Sequence, residues 1–262
     1  MTLKKYDNMV TSTRKNCSQM FFIFTGAFQN VAGMSPLDFL QQTGLANRNF
    51  IVFRDPYRVA FRRGISDEVS DFPALLAWQR RYLDDLPQVT ELYCLGVSAG
   101  GIPAILSGHH HGAKTVWSFG ARPPVEDWAA EYDRQKTSGA SFGGRLQLYG
   151  KKLARRARML TKTPAKAPFR TGFVDTDLVK KAAEDLKSSN GKTEYRLYYM
   201  ESNLTDAYVH GLLKDTPGAV SLPVEAPPDY PHMYEPGWDH LVLPVLKAKG
   251  DLRDLFPPFA SV

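Results

Sequence analysis

Only two cysteines, Cys17 and Cys94, occur in 262 residues, too few for a disulfide framework, and this scarcity favours a reducing compartment. Long apolar runs are missing too. The longest early stretch, residues 20–28, is interrupted by Thr25 and Gly26 and is too short to cross a bilayer. It lacks the small-residue cleavage pattern of a secretory signal, so the expectation is a soluble, cytoplasmic protein without a transmembrane segment. Neither Gly-Lys-Ser/Thr nor three spaced glycines occurs where a nucleotide loop would need them, and no nucleic-acid-binding motif is present.

Acidic residues are absent from one segment. Residues 134–174 carry eleven Lys or Arg and no Asp or Glu, whereas the remainder of the chain has 22 bases against 27 acids. The net charge of +6 therefore describes one segment, and nucleic acid is not an expected partner.

What the chain does have is a regular succession of short aromatic or β-branched runs bounded by turns. Residues 20–25, 49–53, 91–95, 114–119, 194–200 and 219–225 read as buried strands. Helical stretches lie between them. Ser35 and Pro36 supply an N-cap and first helical residue before residues 37–42, and Asp71 opens a helix over 73–86. This order predicts an α/β fold with a mainly parallel sheet flanked by helices, whose chemistry belongs at the carboxyl ends of the strands. One gap is anomalous. About 70 residues separate the strands at 114–119 and 194–200, far more than a crossover needs. The division expected is a first core segment over 1–121, an inserted basic helical cap over 122–192, and a second core segment over 193–262. Cap helices are expected near 125–134, 145–160 and 175–187.

Gly96-Val97-Ser98-Ala99-Gly100 follows one strand directly and precedes a small-residue stretch suited to a helix. A serine at such a strand-to-helix turn has strained backbone angles and projects its hydroxyl from the sheet, and the flanking glycines avoid collisions with the neighbouring strand and helix. A second match, Gly139-Ala140-Ser141-Phe142-Gly143, follows a polar stretch that cannot form a buried strand. Context thus selects Ser98 over Ser141. A serine nucleophile needs a base and an acid that orients the base. His240 follows the last strand and precedes an apolar stretch. Asp206 follows the strand at 194–200 after a short loop, where it could alternatively cap a helix over 207–214. Glu201 is the first substitute acid, with Glu126 and Asp127 more remote. His232 is the competing base, and His210 reads as a helix residue.

The chain order Ser98, Asp206, His240, together with the strand context of Ser98, resembles the α/β-hydrolase superfamily over residues 20–121 and 193–257. The resemblance implies catalysis by these three residues and an oxyanion hole formed by the backbone amides of Ala99 and Ala27, with Phe28 as the alternative donor. Two departures stand out. Thr25-Gly26 occupies the place where many members have His-Gly, and the N-terminal antiparallel strands of the family are expected to be absent or rudimentary.

Phe28, Arg54, Tyr57 and Trp238 lie on or near the same loops and are the candidate substrate-binding residues. Arg54 could meet an anionic group or could pair with Asp55. His109-His110-His111 points in different directions on a helix with no acidic or Cys ligand nearby, so neither a metal nor another cofactor is expected; the run suits a helix C-terminus, where positive charge is favourable. In the basic segment, Leu146, Tyr149, Leu153, Ala157 and Leu160 recur at helical spacing among Lys and Arg, giving an amphipathic helix that could dock an acidic carrier protein or an anionic surface. The expected activity is that of a serine esterase or thioesterase working through an acyl-enzyme. Alternatives are an acyltransferase or lactone-forming thioesterase and a non-catalytic binding protein of the same fold.

Overall fold

The computed structural model describes residues 2–6, 8–26, 29–31, 34–122, 176–188, 190–201, 204–225, 246, 250 and 252–256. All six expected strands form, each end within two residues of its expected place. They are β3 (Gln19–Phe24), β4 (Asn49–Phe53), β5 (Glu91–Val97), β6 (Thr115–Phe119), β7 (Glu194–Tyr199) and β8 (Ala219–Pro223). Two further strands precede them, β1 (Thr2–Tyr6) and β2 (Met9–Thr13). The single eight-stranded sheet has the order β1-β2-β4-β3-β5-β6-β7-β8. Pairing is antiparallel between β1 and β2 and between β2 and β4, and parallel throughout the rest.

The N-terminal strands correct the expectation that they would be rudimentary. In β2, Thr11 and Ser12 are buried, at 2% and 0% exposure, so polar residues occupy places where a strand pattern is usually announced by apolar ones. Here the ladder with β4, running from Met9 opposite Phe53 to Ser12 opposite Phe50, supplies the order that the side chains do not advertise.

Strands β3 and β4 are buried on both faces and therefore read as continuous apolar runs. Their side chains alternate between two cores. Phe22, Phe24, Ile51 and Phe53 face one cluster with Leu75, Ile102 and Val179, while Phe21, Ile23, Phe50 and Val52 face the other with Phe39, Tyr93 and Trp117. Aromatic contacts reinforce both, including Phe24 stacked on Phe53 at 5.0 Å and Phe21 on Tyr93 at 4.9 Å. Cys17 and Cys94 are buried free thiols, and burial raises the Cys94 thiol far above its ordinary value.

Helix α1 (Pro36–Gln42) starts as its sequence dictates, with the Asp38 amide donating to Ser35 Oγ at 3.2 Å. In α2 (Phe72–Asp84), Asp71 accepts from the Ala74 amide at 2.7 Å. Helix α3 (Gly101–His111) follows the Ser98 turn and stops at Gly112. Of the three helices expected in the inserted segment, that at 175–187 is observed as α4 (Thr176–Lys187), but its Val179, Ala182 and Leu186 are buried in the first core cluster and it groups with the core rather than with residues 125–175; those near 125–134 and 145–160 lie outside the described residues. Helix α5 (Leu204–Leu213) connects β7 to β8. No helix among the described residues is long and apolar enough to cross a membrane.

The end of α3 departs from the simple dipole reading of its histidines. His111 is packed against Gln79, their Nε2 and Oε1 atoms 3.0 Å apart, and Gln79 Oε1 also accepts from Ser107 Oγ at 2.5 Å. Burial, aided by neighbouring His110 and Arg80, lowers the His111 pKa to about 4. The imidazole is therefore neutral at neutral pH and acts as a core polar group. Between the ordinary value of 6.5 and about 4, the unfolded chain binds a proton that the folded chain refuses, so stability falls as the pH drops through that window. Urea midpoints measured at pH 7 and pH 5 are expected to fall in the wild type, and to fall less in His111→Gln.

Candidate functional site

Ser98 sits at the junction of β5 and α3, within one 3-10 turn, Ser98–Gly100. Its φ is +54°, a left-handed conformation that non-glycine residues rarely adopt and that persists only where the surroundings enforce it. The enforcement is steric. A Cβ on Gly100 would lie against the Phe24 carbonyl oxygen and 2.6 Å from that of Thr25, and one on Gly96 would run into the Gly100 carbonyl and sit 2.7 Å from Ala104 Cβ. The turn is thus pressed onto the end of β3 from one side and onto α3 from the other. Two donors hold the Ser98 carbonyl, the amide of Gly101 and that of Arg122 at 3.0 Å. Ser98 and Ala99 are 3% and 9% exposed.

Asp206 is displaced from its expected setting. Instead of lying in a loop before a helix at 207–214, it occupies the first turn of α5, which starts at Leu204, so it is not the residue that caps this helix. The helix nevertheless returns it to the end of β7: its Oδ2 accepts from the Met200 amide at 3.4 Å. The carboxylate is 2% exposed, and its Oδ1 lies 3.4 Å from Arg122 Nε, an ion pair without hydrogen-bond alignment. In the sequence Arg122 reads only as the first residue of the inserted segment. Its position directly beyond a strand end was the available signal, since one residue now meets Ser98 through its backbone and Asp206 through its guanidinium.

Glu201, the substitute acid, is exposed and accepts from Tyr199 Oη at 3.4 Å. His210 is stacked on Tyr199 with ring centroids 3.6 Å apart and lies 2.7 Å from Ser221 Oγ, while burial, with Lys214 nearby, lowers its pKa. A shallow cleft beside Asp206 is lined by Ser118, Ala121, Tyr198, Tyr199 and His210.

Beyond β4, Asp55 is 1% exposed. One carboxylate oxygen accepts from the Tyr57 amide at 2.9 Å, the other from the Val59 and Phe61 amides at 2.7 and 2.9 Å. Burial raises its pKa, opposed by these amides and that of Arg58. Around it the chain bends sharply, with Arg58, Ala60 and Phe61 all at positive φ. Asp55 is therefore spent on the loop carrying Tyr57, and the Arg54–Asp55 pair considered from the sequence does not form. His240, His232, Ala27, Phe28, Trp238, Ser141, Glu126 and Asp127 lie outside the described residues. Among the described residues, no cluster of three or more His, Cys, Asp or Glu is arranged to hold a metal ion.

Comparison by structure finds the same architecture in proteins of very different sequence. A carboxylesterase structure from the ammonia-oxidising thaumarchaeon Nitrososphaera gargenis is 12% identical with a TM-score of 0.53, covering 97% of this chain and 96% of that one. Naproxen esterase (carboxylesterase NP) from Bacillus subtilis is 11% identical with a TM-score of 0.50, covering 94% of this chain and 85% of that one. No family model matches the chain, and no curated protein matches its sequence. The chain has the α/β-hydrolase fold.

The packing at Gly100 yields a direct test. Gly100→Ala forces a methyl group onto two backbone carbonyls that cannot move independently of β3, and is expected to cost about 3 kcal/mol or more. Urea denaturation reads this loss, and an unchanged midpoint would contradict the close approach.

Proposed function

We propose that this protein is a serine hydrolase that cleaves an ester or thioester through an acyl-enzyme on Ser98. The observation that carries the reading is the +54° φ of Ser98 at a strand-to-helix turn in the middle of a mainly parallel sheet, a conformation with a steric cost and no evident packing benefit. The likeness of the fold to two carboxylesterases is consistent with it.

In this mechanism His240 removes the Ser98 proton as Oγ attacks the acyl carbonyl. The amides of Ala99 and Ala27 hold the developing oxyanion. His240 then gives the proton to the leaving alcohol or thiol, and water, deprotonated by the same imidazole, releases the acid and restores Ser98. Asp206 orients the imidazole and stabilises its charged form. Its burial at the end of β7 supports it over the exposed Glu201. Phe28, Tyr57 and Trp238 form part of the substrate-binding wall. If an alcohol replaces water in the second step, the same acyl-enzyme gives acyl transfer or lactone formation. The basic stretch at 134–174 supports delivery of the acyl group by an acidic carrier, in which case turnover of a carrier thioester, unlike that of a small ester, falls steeply with salt.

A neutral fluorophosphonate probe is expected to label the wild type and not Ser98→Ala; equal labelling of the two would refute the nucleophile. Asp206→Asn is expected to lower kcat by about 10³-fold or more, and Glu201→Gln by less than about threefold. Arg122→Met removes a cation beside the acid, which raises the pKa of the imidazole paired with it. The acidic limb of the pH–rate profile is then expected to move upward by a few tenths to about one pH unit, a shift that a purely structural role for Arg122 would not produce.

A further inference from the structure

Among the described residues, the loops following β3 and β4 hold polar atoms that no hydrogen bond satisfies. Thr25 is fully buried, and its Oγ1 has no hydrogen-bond partner there. The partly buried Arg54 likewise has a buried Nε without a partner, and the neighbouring carboxylate that could have neutralised it, Asp55, is occupied by backbone amides. These groups are neighbours. Phe24 and Phe53 are paired in the parallel ladder, which continues through the Thr25 amide to the Phe53 carbonyl at 3.1 Å, so Thr25 and Arg54 are the next pair in register. Phe24 and Phe53 face one core, and Ile23 and Val52 the other. Alternation therefore puts Thr25 and Arg54 together on the second face, the side of α1. Asn30, on the same loop as Thr25, has a buried side-chain oxygen without a partner, and its amide can turn to present its NH2 instead. Gln29 ties the two loops together, its Nε2 donating to the Asp55 carbonyl at 3.5 Å.

A buried hydroxyl, a guanidinium N–H and an amide, grouped with no acceptor of their own, form a donor set for an oxyanion. β3 is also the strand against which the Ser98 turn packs and is β5's direct neighbour, so the group lies one (Thr25) to two (Arg54) strand spacings, about 5 to 10 Å, from β5. We propose that Thr25 and Arg54 form an anion subsite and that the substrate is an ester bearing a carboxylate or phosphate on its acyl or alcohol part. This inference rests on the serine hydrolase reading and narrows its substrate class.

The test compares pairs of esters that differ only in charge. Nitrophenyl glutarate is set against nitrophenyl valerate for a carboxylate on the acyl side, and acetylated glycerol phosphate against acetylated glycerol for a phosphate on the alcohol side. In at least one arm the charged ester is expected to have the higher kcat/KM, by about 10- to 100-fold, and Arg54→Gln to abolish that ratio of charged to neutral ester. Arg54→Lys keeps most of the preference, and Thr25→Val lowers the ratio by about three- to tenfold. Labelling of Ser98 by the neutral fluorophosphonate is followed in every variant. Normal labelling with no charge preference in either arm, or a preference that survives Arg54→Gln, overturns the subsite and leaves the hydrolase reading intact. Wild-type protein that is folded but unlabelled at Ser98 overturns the hydrolase reading, and the subsite with it.

Discussion

The close approach of Gly100 to the Phe24 and Thr25 carbonyls is the constraint on which the candidate site depends. It sets the distance between β3 and the start of α3, and there the chain passes from strand to helix through Ser98 in the left-handed region. The strain is therefore supported by the whole centre of the sheet, where β3 is flanked on both edges and covered on both faces.

From that fixed point the other groups are placed by strand ends. β6 delivers Arg122, β7 and the first turn of α5 deliver Asp206, and β4 delivers Arg54 and the Asp55 loop. The charges are arranged asymmetrically. The cation beyond β6 is matched by a buried carboxylate, whereas the carboxylate next to the cation beyond β4 is consumed by amides.

Much of this was legible in the sequence because the informative residues obey simple rules. Runs such as Phe21–Phe24 and Phe50–Phe53 are buried on both faces and leave no periodic ambiguity, and Ser35 and Asp71 mark helix starts by side-chain chemistry alone. β2 was hidden because Thr11 and Ser12 are buried polar residues whose strand character comes from a partner some forty positions away. Asp206 lies a few residues further into α5 than expected because the helix begins at Leu204, and the sequence offers several capping residues close together, Ser202, Asn203 and Asp206, between which local chemistry does not choose. His111 shows the limit of reading local charge, since its proton is controlled by burial beside Gln79, a residue of another helix. The Thr25 and Arg54 pair depends on ladder register, which no single segment contains.

The interval between Phe119, where β6 ends, and Glu194, where β7 begins, has an evolutionary consequence. The entropy of closing a loop grows only logarithmically with its length, so doubling such a connection costs about 0.6 kcal/mol. Sequence can therefore be added or exchanged at this crossover with little effect on the sheet, while the bond from Arg122 to the Ser98 carbonyl anchors the point of departure. A fold built in this way can acquire new substrates by lengthening one connection, without renegotiating the packing that holds its serine.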